Sequence, residues 1–208
     1  MTETQRDRRN VTYYRGDLRR DLVTAALAAV EESGPATVSL RAVARSVGVS
    51  HAAPAHHFAN KAALFTAIAV EGFDQLSGDL VAADEAVPPG SPAVDRIRAI
   101  ARRYLRFATS HRGHFEVMWR TDLLHADDPE LVTAANRARE VLIRVVAAAQ
   151  AEGWAADRDA RSAGFLAWSA VHGLATLWLQ GALSRADERP FDEIADGVLD
   201  LLSAPFSR

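Results

Sequence analysis

A chain of 208 residues, 49% of them apolar, can bury a substantial core without covalent crosslinks. It has no cysteine, which excludes thiol nucleophiles, thiolate metal sites and iron–sulfur ligation and fits a reducing, cytoplasmic setting. The net charge of −3 is unevenly spread: nine Lys/Arg face six Asp/Glu through Lys61, and fifteen face twenty-one beyond it, so a basic head sits on an acidic body, as suits a protein that meets phosphates at one end only.

From the N-terminus, Met1 to Asn10 is polar and arginine-bearing with no apolar run behind it, so it is read as neither a secretory signal nor an anchor. No later stretch approaches the roughly 20 uninterrupted apolar residues of a membrane span. Residues 1–12 form a basic arm whose Arg6, Arg8 and Arg9 have two readings, a contact to DNA or a solvated tail. No long period-two alternation follows, and Ala, Leu and Arg dominate, which predicts an all-α chain. A helix is expected from Asp17 to about Glu32, with Leu18, Leu22, Ala25, Ala26, Ala29 and Val30 on one face and Ser33-Gly34-Pro35 as its stop. Two short helices fall between Ser39 and Phe58. Asn60 then caps a long helix through Leu64, Phe65, Ile68 and Phe73, which ends before the linker Val87-Pro88-Pro89-Gly90-Ser91-Pro92. Further helices are expected from Ala93 to Ser110, around His111 to Arg120, from Pro129 to Glu152, from Asp157 to about Leu183 and from Pro190 to Leu202.

The two short helices satisfy the constraints of a helix-turn-helix. Ser39 can cap the first, and Leu40, Val43, Ala44 and Val47 form its inward face, with Ala44 small enough for a close crossing. Gly48 stands one step past the helix end, where a left-handed backbone is needed. Val49 fills the gap under the turn. Ser50 is expected to cap the second helix, and Pro54 is tolerable because the carbonyl it would crowd belongs to that cap.

Tyr13-Tyr14-Arg15-Gly16-Asp17-Leu18-Arg19, Ser39-Leu40-Arg41-Ala42-Val43-Ala44-Arg45, Gly48-Val49-Ser50-His51-Ala52-Ala53-Pro54 and His57-Phe58-Ala59-Asn60-Lys61 together resemble the N-terminal domain of the TetR (tetracycline-repressor-like) family over residues 13–70. Trp168-Ser169-Ala170-Val171-His172-Gly173 is similar to the Trp-His-Gly signature of one C-terminal class in that family. The resemblance implies residues 13–60 as a DNA-binding domain, residues 61–208 as a helical ligand-binding and dimerisation domain, a two-fold dimer, and repression relieved by a small-molecule inducer. The chain departs from the family at Ala55, where an aromatic is usual, so a common DNA contact is missing.

His51 is placed to read a base edge, and Ala52, Ala53 and Pro54 to approach thymine methyls. Ser39, Arg41, Ser50 and Lys61 suit phosphates, which set register without carrying sequence. His56 and His57 diverge by about 100° on a helix, so one packs and one reaches a phosphate rather than both holding a metal. In the body, Tyr104, Phe107, Phe115, Met118, Trp119, Trp168 and His172 form a candidate aromatic ligand site, against the alternative of an ordinary core of large side chains. His111 and His114 lack a convincing third ligand, and neither metal nor cofactor is expected. The run Trp168 to Gln180, apolar around most of its girth, is expected with Pro190 to Leu202 to form a homodimer surface. There is no phosphate-cradling Gly-rich loop and no nucleophile elbow, so an enzyme is not expected. The reading is a ligand-responsive repressor that binds a palindromic operator in double-stranded DNA as a homodimer. The rival is a helical ligand-binding or interaction protein with weakened or lost DNA binding, and Ala55 is its footing.

Overall fold

The computed structural model describes the backbone of residues 3–204 and the side chains of residues 18–204, and every regular element among them is helical. In order these are α1 (Glu3–Ser33), α2 (Leu40–Val47), α3 (Lys61–Glu85), α4 (Ala93–Ser110), α5 (Arg112–Met118), α6 (Pro129–Ala151), α7 (Ala160–Leu179), α8 (Ala182–Ala186) and α9 (Phe191–Ser203). Single 3-10 turns lie at Ala53–His56 and Thr121–Leu123. No described helix is long and apolar enough to cross a membrane.

Three differences from the sequence reading have local causes. α1 begins at Glu3 rather than near Asp17, because Gln5, Arg6, Arg8 and Arg9 favour helix and no proline interrupts the run. The side chains of Arg6, Arg8 and Arg9 lie outside the described residues. The helix expected from Asp157 to Leu183 divides at Gly181, whose φ of 69° ends α7 and starts α8. The second short helix is one 3-10 turn, for a reason that lies in Pro54 and is taken up below.

The described chain forms two compact units, residues up to 71 with 113–131, and 72–112 with the residues from 132 on; α3 supplies residues to both. In the first unit, α1 packs on α2 and buries Leu22, Val23, Ala26 and Val30 with Val43 and Ala44 of α2, all at or below 2% exposure. Phe58, Leu64, Phe65 and Ile68 complete this core. The start of α5 is held against α1: the Gly113 amide donates to Glu31 Oε1 (3.3 Å), and a Cβ at Gly113 would stand 3.1–3.2 Å from Glu31 and Leu27 side-chain atoms.

In the second unit, α4 packs on both α7 and α9, which also touch each other. Ile97, Ile100, Tyr104, Leu105 and Ala108 of α4 are buried, as are Val171, Leu174 and Ala175 of α7 and Leu199 of α9. Three aspartates of α3 each meet an arginine from another helix: Asp74 with Arg137, Asp79 with Arg103 (2.6 Å), and Asp84 with both Arg96 (2.6 and 2.8 Å) and Arg144 (2.9 Å). Trp154 Nε1 donates to the Leu202 carbonyl at 3.1 Å and ties the end of α6 to α9.

Candidate functional site

The head is built from short-range rules that meet at one surface. Gly34 (φ 77°) closes α1 with its amide on the Val30 carbonyl (2.8 Å). Ser39 is extended (φ −134°, ψ 146°), and its Oγ accepts the Ala42 amide at 3.2 Å, the expected N-cap of α2. At the other end, Gly48 adopts φ 78°, ψ 24°, its amide meets the Arg45 carbonyl (3.1 Å), and the Val49 amide meets the Ala44 carbonyl (3.0 Å). This pair of bonds is a Schellman closure, and it requires the left-handed residue that glycine supplies. A Cβ at Gly48 would meet nothing within 4 Å, so the cost of Gly48→Val is conformational alone. The variant is expected to lose at least about 1 kcal/mol, a fall in melting temperature of a few degrees for a chain of this size, read by thermal denaturation.

After Gly48 the structure corrects the sequence reading. Ser50 does not cap an α-helix with its side chain. Its carbonyl accepts the Ala53 amide (3.0 Å), and the 3-10 turn Ala53–His56 follows with no side-chain cap. Pro54 has no N–H to give the Ser50 carbonyl, so the chain closes through i→i+3 bonds instead, Ala55 to Ala52 (3.2 Å) and His57 to Pro54 (2.9 Å). Pro54 itself is buried, so it packs into the head rather than standing on its surface with His51 and Ala52. Phe58 is 3% exposed beneath the Arg19 guanidinium, which lies 5.4 Å from its ring centre.

This tight segment leaves Ser39, Arg41, Ser50, His51, Ala52 and His56 exposed, with Ala53 and His57 half-buried. Arg41 and Arg45 lie one turn apart on α2, and both are exposed. Lys61 is brought to the head, but its ammonium donates to the carbonyls of Pro35 (2.8 Å) and Ala36 (3.2 Å) and lies 5.1 Å from the Phe65 ring centre. Burial lowers its pKa. It is a strut between the α1–α2 loop and α3. Asn60 caps α3 as expected, its Oδ1 accepting the Ala63 amide at 2.8 Å and lying 3.2 Å from His125 Nε2.

The body residues predicted to meet a ligand fall into both units. Tyr104, Phe107, Trp168 and His172 belong to the second, and Phe115, Met118 and Trp119 to the first. In the second unit, Tyr104 Oη lies 2.8 Å from His172 Nδ1, and Trp168 Nε1 approaches the same oxygen at 3.4 Å. Burial raises the Tyr104 phenol well above its ordinary pKa and lowers that of the half-buried His172, so both shifts favour the neutral forms. Phe107 is 1% exposed and stacks on His111 with ring centres 4.9 Å apart. In the first unit Phe115 and Met118 are buried, and Phe115 meets Trp119 edge to face. A separate depression of about 270 Å³ lies at the α3–α4 corner between Asp84, Pro89, Arg96 and Glu152, and contains none of these residues. Among the described residues no group of three His, Asp or Glu is placed to hold a metal ion. The sequence reading missed the Asp84–Arg96–Arg144 cluster; a recurrence of Asp at 74, 79 and 84 on one helix was its only trace.

Comparison with known families decides the relationship. Residues 97–202 match the family described as tetracyclin repressor-like, C-terminal domain, and residues 22–68 match bacterial regulatory proteins, tetR family. The chain belongs to the TetR family. A solved structure of a protein of unknown function from Rhodococcus sp. RHA1 is 34% identical to this TetR-family chain, with a TM-score of 0.74 over 89% of this chain and 93% of that one. A tetR-family regulatory protein from Rhodococcus RHA1 is 20% identical with a TM-score of 0.70, covering 89% and 94%. AibR in complex with isovaleryl coenzyme A and operator DNA is 20% identical with a TM-score of 0.68, covering 90% and 99%. The last two show likeness of fold alone. A search of curated proteins found no match.

Proposed function

We infer that this TetR-family chain is a ligand-responsive transcriptional regulator. It binds a palindromic operator as a homodimer and is released by a small-molecule inducer. The observation that carries this reading is the head itself, where a Schellman-closed α2 and a tight 3-10 turn leave Arg41, Arg45, His51 and His56 exposed together. Arg41, Arg45, Ser39 and Ser50 contact phosphates and set register, with Lys61 bracing the loop behind them. His51, Ala52 and Ala53 face base edges, Pro54 packs beneath them, and His56 and His57 flank the backbone. Two-fold pairing sets the heads about 34 Å apart to meet successive major grooves. In the body, Tyr104, Phe107, Trp168 and His172 line the inducer site, and the Trp168–His172–Gly173 stretch plays the part of the Trp-His-Gly class. The inducer must prefer the state whose heads are wrongly spaced, and a thousandfold release needs about 4 kcal/mol of that preference. Because AibR is solved with isovaleryl coenzyme A, short acyl-coenzyme A thioesters are the first ligands to test.

Selection of genomic fragments with the purified chain, followed by salt titration on the recovered site and on a scrambled control, tests the reading. A palindrome bound by a dimer, with log affinity falling linearly in log salt, is expected. A second reading has its own observation. The reading element is one 3-10 turn, and Ala55 is exposed where the family usually carries an aromatic. If the chain binds DNA only weakly and without sequence preference, it is a helical ligand-binding or interaction protein.

A further inference from the structure

From Ser33 to Val70 the chain contains no aspartate or glutamate. Within that stretch the charged side chains are Arg41, Arg45 and Lys61, and the Lys61 ammonium is already committed to two backbone carbonyls. From Ser46 to Asn60, which holds the whole reading turn, there is no Lys or Arg at all; the basic groups are His51, His56 and His57. His51 and His56 are exposed and His57 half-buried. The elements packed around them add few carboxylates that could take the place of DNA. On α1, Arg19 lies over Phe58 and pairs with Glu71 of α3 at 3.9 Å, Glu31 accepts the Gly113 amide, and Arg20, Asp21 and Glu32 are exposed. On residues 113–131, Asp122 is held by Arg120, Asp128 accepts the amides of Glu130 and Leu131, and the His125 ring meets Asn60; Glu116, Asp127 and Glu130 complete the acids there.

A DNA phosphate brought close to an imidazole favours the imidazolium, because opposite charges at short range attract. Resting on the DNA-reading function above, we propose that operator binding by this head is coupled to proton uptake at His51 and His56, with His57 behind them, so that the proton regulates the DNA interface.

The sign follows from linkage. A group whose pKa is raised in the complex contributes fully below its free value, and the contribution is lost as pH rises through its bound value. Histidine titrates near about pH 6.5, so the change falls across the neutral range. Each imidazole raised by one unit contributes about tenfold in affinity between the two limits.

The test is fluorescence anisotropy with a labelled mixed-sequence duplex at low salt, and with the site recovered by selection, between about pH 6 and about pH 8. Affinity is expected to fall roughly tenfold or more across that range, and the salt dependence to become shallower by about one phosphate contact for each imidazole that titrates. His51→Gln with His56→Gln should bind weakly with a flat pH profile. His51→Lys with His56→Lys should hold tight binding at the alkaline end, because its charge does not titrate there. Both histidines are exposed, so these variants are expected to fold, and circular dichroism checks that they do. Binding that is tight and independent of pH in the wild type, or a Gln variant that keeps the wild-type pH slope, overturns the proton coupling and leaves DNA reading intact. No binding to either duplex at any pH overturns both.

Discussion

Asp84→Asn is expected to lower the unfolding free energy by about 3 kcal/mol, which for a chain of this length is a fall in melting temperature of about 6–12 °C. The Asp84 side chain is 3% exposed, and it joins α3 to α4 through both Arg96 bonds and to α6 through Arg144. Removing the carboxylate charge takes the hydrogen-bonded counterion from both guanidinium groups and leaves Arg96 with the charge of Glu152. Arg96 is 32% exposed and Arg144 is 56% exposed, so both recover part of their hydration, which sets the loss at the lower end of what a broken buried pair costs. The same exposures rank the partners: Arg144→Gln should cost under about 1 kcal/mol, and Arg96→Gln should fall between. The hydrogen bond from Arg96 leads the causes that hold the Asp84 carboxyl below its ordinary pKa, against the opposing effect of burial. A depressed folded pKa means that the stabilisation is present above the unfolded value of about 4 and is lost as pH falls through the folded value. Wild type should therefore lose stability below about pH 4 more steeply than Asp84→Asn does. Urea titrations at neutral pH and in that acid range measure both effects. An Arg144→Gln loss as large as that of Asp84→Asn would contradict the ranking.

What the sequence shows and what it hides divide along the range of the interactions. Ser39, Gly48 and Asn60 act on backbone groups within five residues of themselves, and each does in the structure what its type and position predict. Pro54 was also a local signal, but an ambiguous one. The missing amide can be absorbed at the start of an α-helix or can force i→i+3 closure, and only the packing of Pro54 and Phe58 into the core selects the second. The ion pairs of the α3 aspartates lie at separations of 12, 24, 60 and 63 residues, where periodicity carries no information about which arginine an aspartate will meet. The aromatic cluster shows the same limit. Phe107 and Phe115 are two helical turns apart in sequence, yet they belong to different compact units, because Gly113 seats the start of α5 on Glu31 of α1.

The homodimer proposed for this chain makes a second large prediction. On α7, Phe165 is 53% exposed, Leu166 49% and Leu177 45%, and on α9 Leu201 is 78% exposed. Phe165, Ser169, Gly173 and Leu177 recur every four residues, so one side of α7 offers an apolar stripe interrupted by small residues, which permits close approach of another helix. In a two-fold interface each substitution counts twice. Leucines exposed to the degree of Leu177 and Leu201 contribute about 1–1.5 kcal/mol each on burial, so Leu177→Glu with Leu201→Glu removes about 5 kcal/mol and raises the dimer Kd by about 10³-fold or more, before the repulsion of facing carboxylates is counted. The variant should sediment as a monomer at concentrations where wild type is a dimer. Its operator affinity should fall with it, because a lone head meets one half-site only. Ile143 of α6 is 59% exposed and is the control, since Ile143→Glu adds the same charge to a different helix. If Ile143→Glu dissociates the dimer and the α7–α9 variant does not, the pairing face lies on α6, and the spacing of the two heads must be derived from that helix instead.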